Sequence, residues 1–497
     1  MLIFFPVSSF SLSAYESSIL FIENKNHLKI WDQIKDNCPT VKQIISIETI
    51  AHDLVHYSWK EFLGLNPTDP VFKQRCKSID PQKMCTIVYT SGTTGEPKGA
   101  MLSHVQIISE VSEAFQICGV ATTDVSLSFL PYAHILGRIE HWGHAYWGFC
   151  LAYAESIEKI KSNLLEIRPT IMVAVPRIFE KIHSSILTQI ETQVWLKKIF
   201  TWALKISDEV FHYQMTRQPL PLKLLGEYEL SKRLVFNRIK KAFGGRLRFA
   251  ISGGAPLSPE ISRFFHSAQI LILEGYGLSE TTAAITVNTP FNYKFGSVGR
   301  PIGDVQIRLA EDGEVCIKSK KIMLGYYKNP QATAAALEDG WFKTGDIGEI
   351  LSGGDLKLTD RKKDLIKTSG GKYVAPQKLE GLLSSNPLIS HVLIHGDQKK
   401  YIVALITLDH ANTKQWAAEN GLEKISWEDL VHHPKLLDSI RHTVAHVNSQ
   451  LASFETIKKY HILPQEFTVA GGELTPSLKV KRKFLDAKLK KEIEALY

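Results

Sequence analysis

The stretch Tyr89-Thr-Ser-Gly-Thr-Thr-Gly-Glu-Pro-Lys98-Gly99 decides how this chain can be interpreted. It holds three glycines, four serine or threonine hydroxyls and one lysine. Glycines allow a tight turn whose backbone N–H groups approach an anion, while the hydroxyls and the ammonium group add further donors. The apolar, β-branched residues 85–89 predict a buried strand, and residues 102–110 predict a helix. A strand, a hydroxyl-rich loop and a helix in this order predict a phosphate-binding loop.

The order of residues within the loop narrows its type. It is not the Walker pattern, because Lys98 is followed by Gly99 and not by serine or threonine; a surface turn is the alternative. The string Thr-Ser-Gly-Thr-Thr-Gly-x-Pro-Lys-Gly resembles the phosphate loop of the adenylate-forming superfamily, which includes acyl-CoA synthetases, luciferases and adenylation domains of peptide synthetases. The resemblance implies that Lys98 and Thr93 act on the ATP phosphates, with Thr93 also a metal ligand. It implies nucleotide contacts for Thr90, Ser91, Gly92, Thr94 and Gly95.

Length and composition limit the class of protein. The 497 residues are 44% hydrophobic and 22% charged, enough for more than one globular core. The net charge of +8 suits anionic substrates or a membrane surface, although most such excesses are solvated surface. We expect no nucleic acid partner, because no basic module interleaved with aromatic residues is evident. Six cysteines without a Cys-x-x-Cys pair predict neither a disulfide framework nor a zinc site and favour a reducing cytoplasm.

The chain alternates short apolar runs with helical patterns, which predicts an α/β fold. By the resemblance, this becomes a large N-terminal domain of stacked sheets with helices and a distorted β-barrel, followed by a small α/β C-terminal lid domain. The expected boundaries are 1–359 for the AMP-binding domain and 360–497 for the lid. The family places a longer segment before the phosphate loop than the 88 residues found here, so we expect an N-terminally truncated chain.

One region bears on the substrate and the membrane. Residues 168–182 look like the segment characteristic of long-chain fatty acyl-CoA synthetases. Residues 183–243 have a helical pattern, and similar helical insertions occur in those long-chain members. The latter region is basic and aromatic, with apolar residues at helical spacing, so it either packs over the sheet or contacts a bilayer surface. No apolar run reaches the ~18–20 residues of a spanning helix, so we expect a cytoplasmic protein, with peripheral membrane contact left open.

Further motifs match the family in order. In Leu130-Pro-Tyr-Ala-His134, the histidine is either a packed core residue or, by resemblance, part of the acyl pocket, which Gly254 also lines. The resemblance makes Tyr276 the residue that stacks on adenine and Glu280 a ligand of Mg²⁺, consistent with the preference of hard cations for carboxylate oxygen. Asp346 would hold the ribose hydroxyls. Further nucleotide contacts are implied for Gly254, Ala255, Pro256, Glu274, Gly275, Gly277 and Thr281.

The lid would contribute the remaining residues. By resemblance, Asp360 is the hinge and Arg361 touches ribose or phosphate. Gly370 and Gly371 approach the site for attack by the CoA thiol. Lys479, in a Thr-x-Ser-x-Lys spacing, is the catalytic lysine on the acyl carboxylate and the bridging phosphate oxygen, although the usual preceding glycine is leucine here.

Together these motifs predict a long-chain fatty acid–CoA ligase that uses ATP, Mg²⁺ and CoA. The fatty carboxylate attacks the α-phosphorus of ATP, which gives acyl-AMP and diphosphate, and CoA then takes the acyl group. Two alternatives stay open. A fatty acyl-AMP ligase would pass the acyl group to a carrier protein, and a non-catalytic remnant would only bind nucleotide or acyl chains.

Overall fold

The computed structural model of the chain describes residues 17–65, 70–90, 97–191, 194–216, 218–468, 471–474 and 480–497. The predicted Thr93, its neighbours Ser91, Gly92, Thr94 and Gly95, and Lys479 lie outside the described residues.

Strands and helices alternate along the first 300 residues, as predicted. The strands in this part are β1 (Ile19–Ile22), β2 (Gln43–Ser46), β3 (Tyr57–Ser58), β4 (Met84–Thr90), β5 (Lys98–Ser103), β6 (Val125–Ser128), β7 (Cys150–Tyr153), β8 (Ile171–Ala174), β9 (Phe249–Ser252), β10 (Leu271–Leu278), β11 (Ala283–Val287) and β12 (Arg300–Pro301). The helices are α1 (Lys25–Ile34), α2 (Trp59–Gly64), α3 (Pro70–Lys77), α4 (His104–Cys118), α5 (Ile135–Trp147), α6 (Ile160–Ile167), α7 (Pro176–Glu191), α8 (Val194–Met215), α9 (Leu222–Ser231), α10 (Asn237–Ala242) and α11 (Pro259–Ser267).

The remaining elements form an antiparallel sheet and the C-terminal domain. The strands are β13 (Gln306–Leu309), β14 (Glu314–Lys318), β15 (Gly325–Tyr326), β16 (Leu337–Glu338), β17 (Trp341–Ile350), β18 (Leu356–Arg361), β19 (Ile366–Lys367), β20 (Tyr373–Val374), β21 (Ile389–His395), β22 (Ile402–Leu408) and β23 (Ile457–Leu463). The helices are α12 (Pro330–Ala336), α13 (Pro376–Ser384), α14 (His410–Glu419), α15 (Trp427–Val431), α16 (Pro434–Asn448), α17 (Arg482–Lys488) and α18 (Lys490–Glu494).

The central sheet has the strand order β12-β11-β10-β9-β8-β6-β7, in which β7, β6, β8, β9 and β10 run parallel. The inner strands β8 and β9 are largely apolar and buried because helices cover both faces of the sheet. Met172 and Ala250 face a core shared with Phe179 and Phe265, on the side of α6, α7 and α11. The alternate residues Ile171 and Phe249 face the opposite core, which α4 and α5 cover.

Helix α4 connects the phosphate-loop hairpin to the interior of the domain. The hairpin consists of β4 and β5, which pair antiparallel up to Thr90 and Lys98. Ser103 then begins α4 with a capping box shared with Gln106, and Gly119 ends it in the left-handed conformation at φ 72°. The helix therefore starts at the end of the hairpin opposite the predicted phosphate loop, where Ser103 pairs with Met84, and its last turns bury Phe115 and Cys118 against the core.

The two interpretations of residues 183–243 can be compared with the packing. Phe200, Ala203, Phe236 and Ile239 are buried in the core over the central sheet, so the region forms a helical layer. Leu222 is nonetheless 87% exposed, and Trp195 is 57% exposed. Within the described part of the chain, no helix is long and apolar enough to cross a membrane.

The C-terminal part has a core of its own. Strands β21, β22 and β23 form a sheet that packs against α13, α14 and α16 through apolar side chains such as Leu379, Ile406 and Ile440. Before it, β13, β14, β17, β16 and β18 form the antiparallel sheet where the distorted barrel was expected. The predicted α/β class is confirmed, with a large first part and a small C-terminal α/β domain, while the boundary at 359/360 stays a prediction and falls inside β18.

Candidate functional site

The Glu280 carboxylate lies at a corner between two hairpins. Tyr326 donates its hydroxyl hydrogen bond to Glu280 Oε1 at 2.8 Å, and the Thr90 hydroxyl lies 3.5 Å from the same oxygen. The Lys98 ammonium nitrogen lies 5.2 Å from the centre of the Tyr326 ring. The structure thus brings together three residues that the sequence assigned to phosphate and metal, Thr90, Lys98 and Glu280, and adds Tyr326.

The turn that carries Glu280 is held in an uncommon backbone conformation. After the short 3₁₀ turn Ser279–Thr281, Thr282 and Ala283 have φ of 58° and 85°, values that side chains other than glycine rarely adopt. Thr281 stabilises the turn, since its hydroxyl donates to the Ala283 carbonyl at 2.8 Å and accepts from the Leu278 N–H at 2.8 Å. Gly277 is required, because a Cβ there would lie 1.5 Å from the Ala283 oxygen.

A buried ion pair supports the same turn from behind. Glu110 of α4 accepts a hydrogen bond from the Ala284 N–H at 2.8 Å through Oε1. Its other oxygen lies 3.0 Å from the Lys321 ammonium nitrogen, and both side chains are at most 1% exposed. The Thr282 hydroxyl donates to the Lys321 carbonyl at 2.7 Å. A buried charge must be paired and hydrogen-bonded, and this pair ties the Glu280 turn to α4.

The donor set at this corner fits Mg²⁺. Glu280 offers carboxylate oxygen, and the Thr90 hydroxyl lies beside it. Magnesium in nucleotide sites usually takes one or two protein ligands of this kind and completes its coordination with phosphate oxygens and water. A single buried carboxylate next to a predicted phosphate loop matches that pattern.

A second group of predicted residues meets at the ribose end. The Tyr276 hydroxyl donates to Asp346 Oδ2 at 2.6 Å, and Arg361 Nε lies 3.3 Å from Asp346 Oδ1. Tyr276 and Asp346 are both buried. Burial is the larger cause and the Asp346 charge the smaller cause that raise the pKa of the Tyr276 hydroxyl well above its usual value. The hydroxyl remains a donor at neutral pH and holds the Asp346 carboxylate in a fixed orientation.

The predicted loop of Gly254, Ala255 and Pro256 is anchored by Glu274. Gly254 has φ of 85°, which favours glycine, and the Leu257 N–H and the Ser262 hydroxyl both donate to Glu274 at 3.4 Å. Burial raises the pKa of Glu274 to about 7. In this position Glu274 supports the loop from within.

An apolar cavity opens beside these residues. It lies between the sheet and helices α4 and α5, and its wall includes the predicted acyl-pocket residues His134 and Gly254 together with Gly275, Tyr276 and Gly277. Further apolar residues of the wall are Ala114, Phe115, Cys118, Ile135, Leu136, Ile139, Val173, Ile251, Ala283, Ala284 and Val287. A hydrocarbon chain would therefore contact carbon over most of its length.

The predicted lid residues are placed differently. Gly370 and Gly371 are exposed in the turn between β19 and β20, where the Gly371 N–H donates to the Thr368 carbonyl at 2.8 Å. Asp360 is buried at the junction instead: its carboxylate accepts from the Arg361 N–H at 2.6 Å and from the Gln377 N–H, at the start of α13, at 3.0 Å. It thus connects the antiparallel sheet of the large part to the first long helix of the lid.

Sequence reasoning missed three members of the site. Tyr326 lies in Gly325-Tyr-Tyr-Lys-Asn, whose pattern indicates only a turn or short strand of the expected barrel, and the pair of tyrosines after glycine was the available signal. Glu110 and Lys321 are far apart in sequence and look like ordinary surface charges in their local patterns. Only the fold shows that both are buried.

Comparison with known proteins agrees with this geometry. Residues 9–327 match the AMP-binding enzyme family and residues 363–497 match the AMP-binding enzyme C-terminal domain. A long-chain-fatty-acid–CoA ligase of Mycobacterium bovis is 34% identical over 486 residues, which cover 97% of this chain and 80% of that protein. Long-chain-fatty-acid–CoA ligase 1 of Saccharomyces cerevisiae is 33% identical, and the match covers 91% of this chain and 67% of that protein.

Solved structures share the fold. The adenylation domain of a carboxylate reductase from Mycobacterium chelonae has a TM-score of 0.74 at 22% identity, covering 98% of this chain and 74% of that one. The O-succinylbenzoate CoA synthetase of Bacillus subtilis, solved with ATP and magnesium ion, has a TM-score of 0.64 at 19% identity, with coverages of 96% and 81%. The chain therefore belongs to the AMP-binding enzyme family, together with the long-chain-fatty-acid–CoA ligases that it matches over nearly its whole length.

Proposed function

We propose that this protein is a long-chain fatty acid–CoA ligase, which activates a fatty acid with ATP to acyl-AMP and then forms acyl-CoA. The observation that carries the proposal is that Tyr276 and the turn that holds Glu280 both border the apolar cavity, while the Tyr276 hydroxyl binds Asp346. The names of the relatives specify the substrates, a long-chain fatty acid and CoA. Adenylation and an acyl pocket in one place are what that reaction requires.

In the first step the fatty carboxylate attacks the α-phosphorus of ATP, and diphosphate leaves. The protein contributes positioning and charge neutralisation in such a transfer. Thr90 and Lys98, with the predicted Thr93, would hold the phosphates. Glu280 would hold Mg²⁺, which neutralises phosphate charge when bound. The Tyr326 hydroxyl donates a hydrogen bond to the Glu280 carboxylate at 2.8 Å and so fixes the orientation of this carboxylate.

The nucleoside would be held at the ribose end. The Asp346 carboxylate would accept hydrogen bonds from the ribose hydroxyls, and Arg361, whose Nε lies 3.3 Å from Asp346 Oδ1, would contact the ribose or a phosphate. The ring of Tyr276 is proposed to stack on adenine while its hydroxyl holds Asp346. The predicted Lys479 would neutralise charge on the acyl carboxylate and the bridging oxygen as acyl-AMP forms.

In the second step the CoA thiol attacks the acyl carbonyl and AMP leaves. We propose that the lid, residues 360–497, rotates about Asp360 and brings Gly370 and Gly371 to the site. Asp360 suits this role because its carboxylate joins the N–H of Arg361, the last residue of β18 in the antiparallel sheet, to the N–H of Gln377 at the start of α13. The exposed glycine turn is the part of the lid with room to approach a substrate.

The proposal is tested by following diphosphate release from palmitate, ATP and Mg²⁺, with and without CoA. We expect release in both cases and palmitoyl-CoA only when CoA is present. A Glu280→Ala variant that melts at the wild-type temperature serves as the matched inactive control. Acyl-AMP that accumulates with CoA but reacts with a carrier protein would favour an acyl-AMP ligase, and nucleotide binding without turnover would favour a non-catalytic remnant.

We further propose that this enzyme is cytoplasmic and uses the outer surface of the helical run from α9 through residues 232–236 to α10 to contact an anionic membrane. Leu222, Leu225, Leu230 and Leu234 are exposed along this helical run, which we call the leucine face. The exposed cations Lys223, Arg233, Arg238 and Lys241 belong to the same run. Apolar side chains flanked by cations are typical of helices that lie in the membrane interface.

Sedimentation with phosphatidylglycerol vesicles tests the leucine face. The wild type should sediment with these vesicles and a Leu222→Ser/Leu234→Ser variant should not. Leu63→Ser, which changes an exposed leucine of α2, is the control and should bind as the wild type does. Equal sedimentation of all three proteins would contradict the assignment of this face.

A further inference from the structure

One aromatic ring of the cavity wall, that of Phe115, is backed by a second ring that lies outside the wall. The cavity wall follows one face of α4, from Glu110 beside the Glu280 turn to Phe115 and Cys118 near the end of the helix. Glu110 and Cys118 are eight residue steps apart, which corresponds to roughly 12 Å along the helix. Phe149 packs behind Phe115, with ring centroids 5.7 Å apart, and is not part of the wall. Phe115 therefore separates the cavity from the core beyond it.

The Phe115 ring packs closely against Gly143, a residue without a side chain on the facing helix α5. A Cβ at Gly143 of α5 would lie 2.3 Å from Cε2 and 2.6 Å from Cζ of the Phe115 ring. The ring thus occupies the space that any other residue at position 143 would need. It is fixed between Gly143 and Phe149, and its remaining side faces the cavity.

The polar groups in the cavity wall already have partners. Glu140 accepts hydrogen bonds from the Ser126 hydroxyl at 2.6 Å and the Ser128 hydroxyl at 2.8 Å. Glu110 is paired with Lys321 and the Ala284 N–H. A hydrocarbon chain in the cavity would leave none of these groups newly unpaired, so the extent of the apolar space, and not a polar contact, limits the chain.

We propose that Phe115, seated against Gly143, forms the closed end of the acyl pocket and sets the acyl chain length that the enzyme accepts. The proposal rests on the proposed function and adds to it the residue pair that selects among fatty acids. Each methylene that is accommodated or excluded changes transition-state binding, and one methylene in an apolar pocket is worth about 10-fold or more in kcat/KM.

Two substitutions should move the preference in opposite directions. Phe115→Ala removes the ring and joins the cavity to the space over Gly143, so longer chains gain. Gly143→Ala adds a methyl group where the ring now lies. Because Phe149 blocks the way back, the ring moves into the cavity and shorter chains gain.

The test measures kcat/KM for diphosphate release with saturated fatty acids from octanoate to stearate. We expect the ratio of stearate to octanoate to rise about 10-fold in Phe115→Ala and to fall about 10-fold in Gly143→Ala. In the double variant the added methyl group meets no ring, so Gly143→Ala should have little effect on the ratio. Phe179→Leu, in the core on the other face of the sheet, is the control and should keep the wild-type ratio.

A purely structural role for Phe115 would lower activity at every chain length and leave the ratio unchanged, and that outcome overturns the proposal. If Phe115→Ala does not fold, Phe115→Leu and Gly143→Ala decide the matter by the same ratio. The two levels of inference fail separately. A wild type that activates no fatty acid contradicts the proposed function, whereas an active wild type whose variants share its chain-length profile contradicts the Phe115 assignment alone.

Discussion

The nucleotide corner and the lid turn differ in how completely they are built. In the large domain Tyr276, Glu280 and Asp346 are each less than 10% exposed and are hydrogen-bonded to one another or to neighbours. In the lid Gly370 and Gly371 are exposed, and Tyr373 beside them is 59% exposed. Buried, oriented donors are preorganised for charge development. We therefore expect the large domain to hold ATP in a prepared site and the lid to deliver its residues by moving.

The largest effect is expected for a lid residue, Lys479, whose loss should slow the first half-reaction and spare the second. Lys479→Ala should slow acyl-AMP formation by ~10²–10³, the usual cost of losing a positioned charge-stabilising donor. Thioester formation from supplied acyl-AMP should be nearly unchanged, because charge beside this lysine develops only in the first step. Single-turnover assays of each half-reaction measure this. Equal losses in both would remove Lys479 from the first step.

The next effect tests the preorganisation of the nucleotide corner. Tyr326→Phe deletes the 2.8 Å hydrogen bond to Glu280. Loss of such a partner behind a metal ligand typically weakens metal affinity about 10-fold or more, so half-saturating Mg²⁺ should rise by that factor. Glu280→Gln should raise it further, since an amide oxygen binds a hard cation less well. Tyr373→Phe, on the exposed lid turn, is the control, and an unchanged Mg²⁺ titration in Tyr326→Phe would show that the corner does not need this bond.

A substitution in the glycine turn of the lid should have the opposite effect to Lys479→Ala: it should slow the second half-reaction and spare the first. Gly371 has φ of 75°, so Gly371→Ala strains the turn by ~1–2 kcal/mol while meeting no neighbouring atom within 4 Å. We expect about a 10-fold loss in thioester formation from supplied acyl-AMP and little change in adenylation. Gly421→Ala, also at a positive φ in the lid with open space around it, is the matched control. A loss confined to adenylation would place this turn in the wrong half-reaction.

The smallest effect concerns the junction between the two regions. Burial raises the pKa of Asp360 to about 6, from the 3.8 of an exposed aspartate. The folded state therefore binds more protons than the unfolded state between pH 4 and 6, and the free energy of unfolding should fall as pH rises through that window, by on the order of 1 kcal/mol per pH unit. Asp360→Asn should lose this slope relative to wild type in denaturant titrations at several pH values. Parallel curves for both proteins would contradict the assigned pKa.

The sequence predicted much of this arrangement because its motifs are local. The α/β class, the family and the substrates follow from strings in which glycine, hydroxyl and carboxylate positions have fixed spacing. Tyr276, Asp346 and Arg361 indeed meet, as do Thr90, Lys98 and Glu280. Their individual roles remain predictions.

What the sequence did not predict depends on distant contacts. Glu110 and Lys321 are 211 residues apart, and either alone is an ordinary charged residue until the fold buries both. Gly277 was predicted as a nucleotide contact, but the structure gives it a second, steric reason, the Ala283 carbonyl. The sequence around Gly143 gave no sign of its role, because that role is to leave space for the ring of Phe115, which lies on another helix. Packing between elements is decided by shape, which local patterns do not encode.

The parallel order of the central sheet also bears on how the chain reaches its native state. Strands β6 and β7 lie at one side of this sheet, and β10 lies further along it. The chain forms helices α5 to α11 between β6 and β10, so many contacts within the sheet join residues that are far apart in sequence. Folding slows as contacts become less local. The lid sheet β21-β22-β23 closes over a shorter segment with its own core. We therefore expect the lid to acquire protected amides first in pulse-labelling hydrogen exchange, so that the domain proposed to move during catalysis is complete before the one proposed to hold ATP.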